Sequence, residues 1–145
     1  MSRGYSIIAL DNPKNTDNIG GCIRAAQIYG AAQVVMSGTR YHRQGTDAMK
    51  GYRHLPVVCV EDILTVIPYD CVPVAVEITE GAKSLCDYQH PERAFYIFGA
   101  EDATLGKRIT EKCRDIIYIP TQGPMNLAAC VNVILYDRMA KARKP

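Results

Sequence analysis

Apolar positions along the chain fall into short continuous runs, and these alternate with stretches of helical spacing and with polar, turn-rich segments. YSIIAL, residues 5–10, is a β-rich run that ends in DNPKNTDN, a cluster of turn formers containing Pro13. From Asn18, a good N-cap, Ile19, Cys22, Ile23, Ala26 and Gly30 recur at helical spacing, and Gly30 suits a stop, which predicts a helix over 18–30. AQVVMSG reads as a strand, a short helix is expected around Asp47 to Gly51, PVVCV is a strand, EDILTVI a short helix closed by Pro68, and VPVAVEI a buried strand. After the turn-rich TEGAKSLCDYQHPE come the strand AFYIF, the loop GAEDATLG, a helix near Lys107 to Cys113, the strand DIIYIP and the loop TQGP. A closing helix is expected over 126–144; it is apolar on most sides until Tyr136, so its first half should be buried.

Strands that are continuous apolar runs, rather than alternating ones, suit a parallel sheet covered on both faces. The expected class is therefore α/β, a parallel sheet with helices on both faces, with residues 1–145 forming one domain. Tyr5 to Leu10 is too short for a membrane span or a secretory core, and no basic segment precedes it, so the cytoplasm is the expected compartment. Cys22, Cys59, Cys71, Cys86, Cys113 and Cys130 are scattered without a C-x-x-C pair; they are expected to be reduced core filler, with no metal site. His42, His54 and His90 fall in loop-like stretches and are expected at the surface rather than as bases.

The net charge of +2 says little about a polyanionic partner, but the cations are clustered. Residues 39–54 carry Arg40, Arg43, Lys50 and Arg53, with His42 and His54, against the single acid Asp47. Interleaved with Tyr41 and Tyr52, these cations suit phosphate contacts and base stacking, although a solvated basic face explains the charge equally well.

In an open α/β sheet, ligands collect beyond the carboxyl ends of the strands. Three loops of unusual polarity leave such ends here, bringing Asn15, Asn18 and Arg24 together with Glu101 and with the segment from Gly123 to Asn126. Gly20 and Gly21 cost roughly 1 kcal/mol each relative to alanine inside a helix. The Arg24 side chain leans back over both of them. The compensation is either a closely packed helix or room for a phosphate held by the guanidinium and the helix N-terminus. GAEDATLGK is not a Walker A loop, because six residues separate its glycines and Arg108 follows Lys107 where Ser or Thr is required. No G-x-G-x-x-G follows any strand.

NPKNTDNIGGCIRAAQIYGA, YIFGAEDATLG and IYIPTQGPMNLAACVNVILYD, in that order, resemble the three motifs of the SpoU (TrmH-type) branch of the SPOUT RNA methyltransferases. The similarity is greatest to the short members made of the catalytic domain alone. It implies transfer of a methyl group from S-adenosylmethionine to a ribose 2′-hydroxyl of RNA, tRNA ahead of rRNA, by a homodimer that uses no metal. It also implies a C-terminal trefoil knot, which general rules of chain topology count against and which therefore rests on the resemblance alone. Asn18, Arg24, Glu101 and Asn126 match the family's catalytic positions. The cofactor would lie against Phe98, Gly99, Ala100, Ile119, Pro120, Gln122, Gly123, Met125, Asn126 and Leu127. Arg24 suits a phosphate clamp better than a base, since its guanidinium does not deprotonate in proteins. Two departures stand out: Pro124 replaces a small hydroxyl residue common in the family, and the glycine of the second motif is delayed to Gly106. A non-catalytic RNA-binding module of the same fold and a small nucleotide-binding regulatory domain are the alternative readings.

If the stretch from Thr39 to His54 contacts RNA, neutralising Arg40, Arg43 and Arg53 together weakens RNA binding and flattens its salt dependence while sparing cofactor affinity. An unchanged slope in a filter-binding salt titration removes that stretch from the interface.

Overall fold

A computed structural model of the chain describes residues 4–38, 55–100 and 103–143. Its centre is a seven-stranded sheet built from β1 (Tyr5–Leu10), β2 (Gln33–Ser37), β3 (Val57–Val60), β4 (Val72–Val76), β5 (Lys83–Ser84), β6 (Arg93–Phe98) and β7 (Asp115–Tyr118). The spatial order is β3-β2-β1-β6-β4-β7-β5, and every pairing is parallel. Parallel strands need crossovers, so both faces must be covered, and the central strands β1 and β6 are buried along almost their whole length.

Successive residues serve opposite faces. Ile8, Leu10, Val34, Met36, Tyr96 and Phe98 pack under two long helices, α1 (Thr16–Ile28) and α3 (Leu127–Ala142). Ile7, Ala9, Val35, Phe95 and Ile97 face a thinner layer, where Ile63 of a 3-10 turn (Ile63–Val66), Leu105, and Ile109 of the one-turn helix α2 (Lys107–Thr110) complete a second core. Among the described residues, no helix is long and apolar enough to cross a membrane.

Several sequence expectations change in detail. Helix α1 starts at Thr16 rather than Asn18, because the Asn15 side chain accepts from the backbone N–H groups of Asp17 and Asn18. EDILTVI closes into a 3-10 turn capped by Asp62, and the expected helix near Lys107 to Cys113 is a single turn. The turn-rich segment before β6 contains the two-residue strand β5, too short and too polar to register as an apolar run. The first half of α3 buries one side, Leu127, Val131, Ile134 and Leu135, not its whole circumference. Cys59 and Cys86 are exposed rather than core filler; all six cysteines are free. The expected helix around Asp47 to Gly51, together with His42 and His54, lies outside the described residues.

His90 is the clearest correction. Its side chain is only 5% exposed, with Nδ1 2.7 Å from the Tyr96 hydroxyl and Nε2 2.7 Å from an Asp137 carboxylate oxygen on α3. Arg138 donates to the same hydroxyl and to the carbonyls of Pro91 and Glu92, while Lys141 donates to those of Leu85 and Tyr88. The Tyr96 hydroxyl, pushed up to about 12 chiefly by burial, keeps its proton and needs an acceptor. A neutral His90 offers one at Nδ1 and donates from Nε2 to Asp137. Burial accordingly holds the His90 pKa below its ordinary value, against the opposing pull of Asp137. This network pins the far half of α3 to the amino ends of β1 and β6.

At the other end of α3 the anchor is a close approach. A Cβ on Gly21 would lie 2.8 Å from the Ala128 Cβ, so the glycine lets α1 and α3 touch backbone to side chain. Of the two explanations for the glycine pair, tight packing therefore holds at Gly21.

Two outcomes follow. Overpacking costs about 1–3 kcal/mol and helix propensity returns about 1 kcal/mol, so Gly21→Ala should lower stability by about 1 kcal/mol net in denaturant unfolding. Gly21→Ala with Ala128→Gly should be less destabilised than the sum of the single changes; a Gly21→Ala chain as stable as the parent contradicts the close contact. Because the folded chain holds His90 neutral, the unfolded chain binds that proton more readily. Stability is full above the ordinary value of 6.5 and is lost as pH falls. The melting temperature should fall from about pH 8 to about pH 5, with a shallower slope in His90→Gln; equal slopes would exclude His90 as the source.

Candidate active site

The carboxyl ends of β4, β6 and β7 lie side by side in the sheet, and an open pocket of about 170 Å³ is formed by the segments that leave them. Of the residues expected at a cofactor site, Phe98, Gly99, Ala100, Ile119, Gly123, Met125 and Leu127 line this pocket. Pro120, Gln122 and Asn126 do not reach the lining and are exposed beside it. The lining also includes Val76, Glu77 and Ile78, which leave β4 and carry no motif that singles them out in the sequence.

The two walls are built differently. After β6 the Ala103 N–H donates to the Ala100 carbonyl at 3.3 Å. Leu105 then drops into the second core. A Cβ on Gly99 would come within 3.3 Å of the Ala103 carbonyl oxygen and 3.4 Å of the Leu105 nitrogen, so glycine admits that segment against the strand end. After β7 the Thr121 hydroxyl donates to the Gly123 carbonyl at 2.7 Å and fixes the TQGP turn. A Cβ on Gly123 would meet nothing within 4 Å, so its bare backbone faces open space rather than a packed neighbour. Cys130, the thiol in the lining, has its pKa raised by burial and is thereby a poor nucleophile.

Beside the pocket the ends of the two long helices meet. Asn126 caps α3 by accepting from the Ala129 N–H at 3.2 Å, and its Nδ2 donates to the Asn18 Oδ1 at 2.6 Å, a bond between residues 108 apart in the chain. The first and third sequence motifs are thus joined by their amide side chains. Both helices direct their N-terminal, partially positive ends to this edge. Arg24 stands exposed on α1 and makes no hydrogen bond or ion pair to the described residues, so its charge is available to a ligand. Glu101 and the basic positions Arg40, Arg43, Lys50 and Arg53 lie outside the described residues.

A larger groove of about 680 Å³ lies at the opposite, amino end of β1 and β6, between Tyr5, Tyr88, His90 and Arg138. Its basic groups His90, Arg138 and Lys141 are already engaged by Asp137 and by backbone carbonyls, which makes it a structural seam.

Residues 5–136 match the model of the SpoU rRNA Methylase family. An uncharacterized tRNA/rRNA methyltransferase of Archaeoglobus fulgidus is 26% identical over 147 aligned positions, covering 94% of this chain and 65% of that protein. The 23S rRNA (guanosine-2′-O-)-methyltransferase RlmB of Acinetobacter baylyi is 24% identical, covering 90% of this chain and 58% of that protein. Among solved structures, the SpoU methyltransferase AviRb of Streptomyces viridochromogenes in complex with AdoMet superposes with a TM-score of 0.83 at 21% identity, over 98% of this chain and 60% of that one. The chain thus spans less than two thirds of the length of these relatives. With a family model covering its whole sheet, α1 and the first part of α3, the chain belongs to the SpoU rRNA methylase family.

Proposed function

We propose that the chain transfers a methyl group from S-adenosylmethionine to a ribose 2′-hydroxyl of RNA. The observation that carries this reading is the meeting of the three motif segments at one sheet edge: the second and third form the pocket walls, and the Asn18–Asn126 bond ties the first to the third. The pocket's residues fit the cofactor. Ile119, Met125 and Leu127 offer apolar surface for a heteroaromatic base, and backbone at Gly123 faces open space without side-chain obstruction. A volume of about 170 Å³ encloses a base-sized group and leaves the rest of such a ligand along the open mouth. The AdoMet complex of AviRb and the 2′-O specificity named for RlmB support the reading.

When bound, that cofactor supplies an electrophilic methyl group; the chain's residues supply position and charge. Arg24, exposed on the third turn of α1, is assigned to the phosphate next to the acceptor ribose. Asn18 and Asn126, each holding the other's amide, orient the hydroxyl. Glu101 is assigned to the same site by its motif alone. The substrate is RNA of the transfer or ribosomal class, both of which appear in the relatives' names. A second copy of the chain as partner rests on the family resemblance.

The test is transfer of labelled methyl from S-adenosylmethionine to tRNA and to rRNA in parallel. Transfer to at least one is expected, with a loss of about 100-fold or more in Arg24→Ala and an unchanged melting temperature, since Arg24 is exposed. Cofactor binding with no transfer to either RNA favours a non-catalytic RNA-binding module, and equal rates in Arg24→Ala remove the clamp.

A further inference from the structure

We infer that Glu77 is a positioning residue of the cofactor pocket, holding the wall that follows β6 in register with the wall that follows β7; this rests on the proposed function. β4 lies between β6 and β7, so the first residue beyond it stands between the two pocket walls. The Glu77 backbone is fixed to the sheet, its N–H donating to the Ile117 carbonyl at 2.9 Å. Its carboxylate then reaches sideways: Oε2 accepts from the Leu105 N–H at 2.7 Å, and Oε1 accepts from its own neighbour, the Ile78 N–H, at 3.0 Å.

Leu105 is the point at which the wall turns into the core. Its side chain is buried beneath the sheet, and its nitrogen lies where a Cβ on Gly99 would come within 3.4 Å. One carboxylate thus fixes the backbone at the foot of the wall whose upper part, Gly99, Ala100 and Ala103, faces the pocket. A charged acceptor on a backbone N–H is roughly twice as strong as a neutral one and sets the amide's direction as well as its distance. Because Glu77 is only half-buried and Leu105 stays anchored by its side chain, removing the carboxylate frees the wall without opening the core.

The experiment pairs hydrogen exchange at the Leu105 amide in the ligand-free protein with calorimetric titration of S-adenosylmethionine. In Glu77→Ala, Leu105 exchange should quicken and the cofactor dissociation constant should rise about tenfold. Glu77→Gln, whose amide oxygen can accept only one of the two bonds well, should fall between parent and alanine variant in both readouts at unchanged melting temperature. Unchanged Leu105 exchange overturns the clasp, and unchanged affinity in Glu77→Ala overturns its role in the pocket while leaving the methyltransferase reading intact. A parent chain that binds no S-adenosylmethionine overturns that reading itself and the pocket role with it. A weakening in Glu77→Ala that Glu77→Gln fully restores without restoring Leu105 protection also counts against the clasp.

Discussion

The contact of α1 with α3 at Gly21 and Ala128 is the constraint from which the geometry of the candidate site follows. With Cβ room for only one of the two residues, the helices run together closely enough for the first turn of α1 and the cap of α3 to share a hydrogen bond. That bond, Asn126 Nδ2 to Asn18 Oδ1, unites segments from the two ends of the chain beside the pocket. Were the helices one methyl group further apart, the Asn126–Asn18 bond of 2.6 Å would be broken.

The sheet divides the labour between its edges. At the carboxyl ends of β4, β6 and β7 an open pocket forms, and the Gly123 backbone faces open space beside it. At the amino ends, Tyr96, His90, Asp137, Arg138 and Lys141 satisfy one another and the neighbouring carbonyls, and they hold α3 down. A helix fixed at its far half by a fully satisfied polar network can offer a well-placed cap at its near end.

Much of this was legible in the residues, and the failures share a cause. Continuous apolar runs gave the order of the larger strands and the parallel α/β class, since burial on both faces leaves a one-dimensional trace. Two of the three polar loops at strand ends, GAEDATLG and TQGP, gave the location of the pocket, while the first is tied to its edge only through Asn18 and the segment leaving β4 carried no signal. Asn15 rather than Asn18 caps α1, a choice that local sequence leaves open because both are good caps and it depends on which backbone N–H groups lie within reach. His90 looked like a surface residue because its partner Asp137 is 47 positions away. Glu77 gave no signal because its value lies in an amide 28 positions on, brought near by the strand order β6-β4-β7. The glycine pair could be read two ways until Ala128 appeared opposite Gly21. In each case the missing information was a long-range partner, while what the sequence displayed was local periodicity.

The location of the methyl-donor site is the central claim, and a crystal structure grown with S-adenosylhomocysteine tests it most directly. Density for the nucleoside between Gly99 and Met125, at the ends of β6 and β7, is the predicted result. Density in the groove beside Tyr88 and Arg138 at the amino edge of the sheet would contradict it.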